Sequence, residues 1–179
     1  TDGKFESITA VSEGDEDYLY AVVRREINGQ TRRFIERMSS QQLTDLEHAF
    51  FVDSGATLEQ EQAFTEVSGL TWLEGKTVSI LADGAVCPQQ VVKNGKVYLD
   101  HAAHIVHIGL PYASDAQTLP IFLETPSRGM GMVKNVHKAA LRVYQSSGVM
   151  AGPSFDELVE HKQRSTEQPG SPPQLLTGE

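Results

Sequence analysis

The sequence predicts a mainly β protein: antiparallel hairpins plus a small β-barrel or sandwich, with little helix. Two observations carry this. The dipeptides Asn28-Gly29, Asp83-Gly84 and Asn94-Gly95 each sit between strand-like runs, and Asn, Asp and Gly tolerate the positive φ of a type I′ hairpin turn. Between Lys76 and Leu110 short strand-like runs alternate with turn signals every ~8–12 residues, the pattern of a small sandwich or barrel.

The first hairpin runs from Tyr18 to the turn at Asn28-Gly29 and returns through Arg32 to Met38. A two-residue turn there pairs Val23 with Phe34 and Leu19 with Met38 on one face. Val22 then opposes Ile35, and Tyr20 opposes Arg37, on the other. Apolar pairs on both faces predict a ribbon covered on both sides, by its own chain or by a neighbour. Phe51 to Ser68 is expected to be loop, with Asp53-Ser54-Gly55 as a turn and room for a short helix over 58–64. The barrel strands follow: Lys76 to Ala82, Gln90 to Lys93, Lys96 to Leu99 and Ile105 to Leu110. Met132 to Tyr144 fits a helical face and an alternating strand equally well, so the local pattern leaves both open. Ser165 to Gln174 has linker composition. The expected organisation is a long hairpin region of a larger β domain (1–50), a connecting loop (51–69), a small antiparallel barrel (70–125), a returning strand and loop packing on the first region (126–164), and a proline-rich linker or tail (165–179).

Composition narrows the function. Against 24 Asp and Glu stand 15 Lys and Arg, a net charge of −9 over 179 residues, which disfavours a nucleic-acid binder that must neutralise phosphates. No apolar run is long enough for a transmembrane helix. The opening Thr1-Asp2-Gly3-Lys4 lacks a signal-peptide pattern, and no membrane anchor is expected. The single cysteine, Cys87, excludes an internal disulfide and a Cys-based zinc site. The end of the chain after its prolines reads as a cut, so a piece of a longer protein is expected.

No catalytic, cofactor or metal residues are predicted. His101, His104 and His107 are spaced by three, which alternates faces on a strand and leaves only His101 and His107 on one side, roughly 20 Å apart. Cys87 reads as a small packed apolar residue rather than a nucleophile. Gly152-Pro153-Ser154-Phe155-Asp156 fails the nucleophile-elbow pattern. Gly129-Met130-Gly131 reads as a turn rather than a dinucleotide loop, and Glu13-Gly14-Asp15-Glu16-Asp17 as a solvated charge run rather than a calcium loop.

One feature is physically unusual. The hairpin register sets Arg24 opposite Arg33 and Arg25 opposite Arg32, and like charges facing across strands are destabilising by up to ~1 kcal/mol. Either these arginines protect a sheet edge, or Arg24, Arg25, Arg32 and Arg33 form a subunit contact with an acidic partner surface.

Leu70 to Val86 (LTWLEGKTVSILADGAV), Val106 to Tyr112 (VHIGLPY) and Thr118-Leu119-Pro120 resemble a segment that recurs in phage tail proteins. In those proteins it is described as a small barrel like the first catalytic cysteine half-domain of ubiquitin-activating enzyme, without implying that chemistry. Ile27-Asn28-Gly29 with Arg33 to Arg37, and Val136 to Tyr144, Gly152-Pro153 and Pro172 to Gly178, are similar to its flanks. The family is the tail tubular protein B, or nozzle, of short-tailed phages. The resemblance implies a strand over 136–144 and a virion structural protein made in the host cytoplasm. It further implies a homo-oligomeric ring at the tail tip, contacts with other tail proteins, and DNA passing through without specific binding. The alternative is a non-catalytic binding module for a host-surface glycan or another tail protein, with Trp72, Tyr98 and Tyr112 as contact aromatics; core packing is the favoured reading of those three.

Overall fold

The computed structural model describes residues 3–39, 45–119, 136–161, 171 and 175–178. The fold is mainly β, and its sheets are antiparallel. The chain divides into two compact units, Thr1–Tyr112 with Glu167–Pro172, and Ala113–Thr166 with Pro173–Glu179.

In the first unit β1 (Lys4–Glu13), β2 (Glu16–Ile27) and β3 (Gln30–Arg37) form a three-stranded meander. The β2–β3 register sets Tyr20 opposite Arg37, Val22 opposite Ile35, Val23 opposite Phe34, Arg24 opposite Arg33 and Arg25 opposite Arg32, as the turn dipeptide predicts. Asn28 and Gly29 both have positive φ, 49° and 72°, the type I′ geometry whose twist matches that of the strands. β1 pairs with β2 through a tight turn at Gly14-Asp15, with Glu13 opposite Glu16. The acidic run is thus a hairpin tip, where Gly14 alone has positive φ, 67°.

The expected loop over Phe51 to Ser68 is instead mostly strand: β4 (Asp53–Val67) pairs with β7 (Val97–Leu110). Its register shifts between Asp53 and Ala56, Glu59 and Phe64, and Phe64 and Glu66. These bulges put the polar Gln60 to Gln62 run out of the ladder and break the alternation by which a strand is recognised. A central β7–β5 pair, with β5 (Thr77–Ala82), lies between β4 and β6 (Ala85–Val91), in the order β4-β7-β5-β6. Among the described residues this sheet does not close into a barrel, because β4 and β6 remain its two edges.

The core lies on one face of this sheet. Val78, Ile80 and Ala82 alternate inward along β5 and meet Val97, Leu99, Ala103, Val106 and Ile108 of β7. A single 3₁₀ turn, Thr71–Leu73, closes its end with Leu70 and Leu73. Side chains from distant turns tie the ladder off. Glu74 accepts from the backbone N–H groups of Asn94 (2.9 Å) and Gly95 (2.6 Å), while the Asp83 carboxylate accepts from those of His104 and Ile105. Both turns therefore have a carboxylate that satisfies backbone donors the ladder leaves open.

In the second unit β8 (Val143–Ser146) pairs with β11 (Leu176–Gly178), and β9 (Met150–Ala151) with β10 (Val159–Glu160). Residues 136–142 carry neither helix nor strand. The strand implied over 136–144 begins only at Val143, since its backbone partner spans three residues. The Gly129-Met130-Gly131 turn, the 132–135 portion of the ambiguous stretch and all but Ser171 of the 165–174 tail lie outside the described residues.

Gly95 has φ of 66°, and a Cβ there would approach Thr71 Cγ2 to 3.3 Å. Gly95→Val is expected to cost about 1–2 kcal/mol from backbone strain alone, read as a lower urea midpoint at unchanged m-value.

Candidate functional site

Four arginines crowd the β2–β3 tip, and the structure disposes of them differently. Arg25 is 3% exposed. Its Nε and Nη2 donate to Oε1 and Oε2 of Glu36, both at 2.8 Å, a bidentate fork. Nη2 and Nη1 also donate to Asp53 at 3.2 and 3.5 Å. A guanidinium cannot shed its proton in a protein, so once buried it needs these carboxylates in place. Glu36 shares the face of Arg25 by the register of the ribbon. Asp53 comes from β4, in the other sheet.

The β4 bulge delivers Asp53. Ser54 sits at φ of 50°, donates from Oγ to Glu36 Oε1 at 3.3 Å and offers its carbonyl to Trp72 Nε1–H at 3.0 Å. Beside it β4 and β7 approach unusually closely: a Cβ on Gly109 would lie 2.7 Å from Gly55 Cα and 2.8 Å from the Asp53 carbonyl oxygen. Only glycine fits there. One bulge thus aims a carboxylate at Arg25, a hydroxyl at Glu36 and a carbonyl at Trp72.

Arg24 and Arg33 are balanced on the opposite face by Glu6, which stands at the β1 bulge. Arg33 Nε donates to Glu6 Oε2 at 2.7 Å, and Arg24 lies 3.9 Å from Oε1. The Arg33 hydrogen bonds, with the charges of both arginines, hold the Glu6 carboxyl below the usual glutamate range. Arg32 differs. Its Nη2 donates to Gln30 Oε1 at 2.7 Å, and among the described residues no carboxylate forms an ion pair with it. The like-charge pairs are therefore largely compensated within the chain. Of the four candidate contact residues, Arg32 and Arg33 are exposed, Arg24 is half-buried and Arg25 is interior.

Next to Arg32 is a groove of about 350 Å³ between the hairpin tip and the 3₁₀ turn. Half-buried Ile27, Phe34 and Trp72 line it, with exposed Asn28, Gln30 and Arg32 at its rim.

The other candidates separate. His101, His104 and His107 all lie on β7. Only His107 is buried: Nε2–H donates to the Glu47 carbonyl at 2.8 Å, Thr57 Oγ1–H donates to Nδ1 at 2.8 Å, and Phe50 stands edge-on. Because a carbonyl only accepts, Nε2 carries the hydrogen, and the ring fastens the 45–50 segment over β7. Among the described residues no group of His, Cys, Asp and Glu is arranged to hold a metal. Cys87 packs against the core, and burial, then the charge of Asp100, push its thiol upward, opposite to activation. Trp72 packs against the core as expected, whereas Tyr98 and Tyr112 are exposed, 58% and 43%. Tyr98 alternates outward between the inward Val97 and Leu99.

Glu6, Glu36 and Asp53 escape a sequence reading. Glu36 was accessible through face parity, but Glu6 is 27 residues from Arg33 and Asp53 is 28 from Arg25, with no local pattern linking them. No protein-family model matches the chain, and no curated protein matches it significantly.

Truncating Arg25 strands two carboxylates that are each about four-fifths buried. Arg25→Met is therefore expected to lose about 3–5 kcal/mol, and Arg33→Gln, at an exposed pair, under about 1 kcal/mol. Urea unfolding of the two variants checks the ratio.

Proposed function

We propose that the protein is a structural component of a phage virion tail, of the nozzle or tail-tube ring type, acting through subunit contacts and contributing to the wall of the DNA exit channel. The observation that carries this reading is the apolar surface of the three-stranded sheet. Phe5, Ile8, Leu19 and Met38 share one face by register and are all exposed, and Ile35 on the other face is 77% exposed. Apolar clusters of this kind on a rigid element mark protein–protein contact. The fold resists deformation where a subunit must transmit force, since the buried arginine cluster ties this sheet to the next. The net charge of −9 suits a channel wall, because phosphates are repelled rather than captured and the genome can slide. The similarity of Leu70 to Val86 and Val106 to Tyr112 to phage tail chains supports the same assignment.

A second reading, a non-catalytic module for a host-surface glycan or another tail protein, draws support from the exposure of Tyr98 and Tyr112, since aromatic faces stack well on sugars and partner side chains.

Peptide mapping of density-purified virions, with immunogold labelling by an antibody to this chain, tests the structural assignment. Peptides in fixed stoichiometry with other tail proteins, and gold at the tail tip, are expected. Virions that lack the chain overturn the structural assignment.

A further inference from the structure

We infer that the groove beside Arg32 receives the acidic β1–β2 hairpin tip of a second copy of this chain, so that copies join head to tail. The inference rests on the reading that the protein works through subunit contacts, and names the surface.

The ribbon is electrically polar along its length. Its two turns lie at opposite ends of β2, which at ~3.3 Å per residue separates them by roughly 40 Å. One turn is Gly14-Asp15, flanked by Glu13, Glu16 and Asp17, all exposed. Arg37 pairs with Glu13, Tyr18 donates to Glu16 and Ser12 to Asp17. Asp15 stands at the apex with no such partner among the described residues. The other turn, Asn28-Gly29, carries the groove, and its Arg32 has a glutamine but no carboxylate among the described residues.

The two ends complement each other in shape and in charge. A two-residue turn is narrow enough to enter a groove of about 350 Å³, and among the described residues no atom beyond its chain neighbours lies within 4 Å of where a Gly14 Cβ would sit, so the tip stands clear of them. An incoming carboxylate gives Arg32 the bidentate partner that Arg25 and Arg33 already have. Exposed Val11, just behind the tip, supplies apolar surface for the Ile27, Phe34 and Trp72 lining. Because donor and acceptor surfaces differ, the contact is heterologous: it propagates from copy to copy and closes into a ring when the rotation allows.

Trp72 is the chain's only tryptophan and lines the groove, so its fluorescence reports occupancy directly. Sedimentation velocity and tryptophan emission are measured on the chain up to ~1 mM, a Kd range typical of weak contacts, at low and high salt. Association with a parallel emission shift, weakened by salt, is expected. Arg32→Glu and Asp15→Arg, both on exposed turn-proximal positions, should each weaken self-association by at least about tenfold. An equimolar mixture of the two variants should recover it, because one contact is then native and the other a reversed pair. A chain monomeric throughout the range overturns the inference. So does association that ignores both substitutions, or a mixture that fails to recover. None of these results touches the tail-tip location, which is read on virions.

Discussion

The structure of the first unit turns on a single buried guanidinium. Arg25 belongs to a three-stranded meander, yet one of its carboxylate partners, Asp53, belongs to the four-stranded sheet. Removing either partner would leave a charge in the interior, so the two sheets are bound to one geometry more strictly than apolar packing alone would bind them. The β4 bulge, the positive φ of Ser54 and the glycine contact between β4 and β7 all follow from bringing Asp53 within reach. Trp72 takes its place from the same bulge, through the Ser54 carbonyl, and with it the groove beside Arg32.

This explains why four arginines can stand in two facing pairs without unfolding the hairpin. Each charge is answered from a different direction: Arg25 from β3 and β4, Arg24 and Arg33 from β1. What looks in the sequence like a cluster seeking an external partner is mostly an internal network. Of the four, Arg32 alone has no carboxylate partner among the described residues, and a contact surface built on one uncompensated arginine with an apolar lining is more selective than one built on four.

Legibility in the sequence followed locality. The β2–β3 register was readable to the residue, because Asn28-Gly29 sets the turn type and the apolar pairs Val23–Phe34 and Val22–Ile35 allow only one alignment. The strand over Lys76 to Ala82 was readable in the same way, because Asp83-Gly84 marks the turn that ends it. β4 was hidden because its bulges destroy period-two patterning just where Glu59 to Gln62 make it look like solvent-exposed loop. The Gly14-Asp15 turn was masked by the acids around it. Between the barrel and the sandwich the sequence could not choose, since closure depends on whether β4 and β6 find each other, nothing within either segment encodes that, and among the described residues they stay apart. Of the site, the arginine pairs were visible and Glu36 lay within reach of face parity, but Glu6 and Asp53 were not, because they arrive 27 residues from Arg33 and 28 from Arg25.

The central claim, that Arg25 couples the two sheets into one cooperative body, is tested most directly by native-state hydrogen exchange across a denaturant series. Amides of Val23 on β2 and of Val106 and Ile108 on β7 should merge into one unfolding isotherm in the parent chain. In Arg25→Met they should separate, with Val23 exchanging through a lower-energy opening while the β7 amides keep their protection relative to global unfolding. Separate isotherms already present in the parent, or a variant in which the amides still open together, would contradict the account.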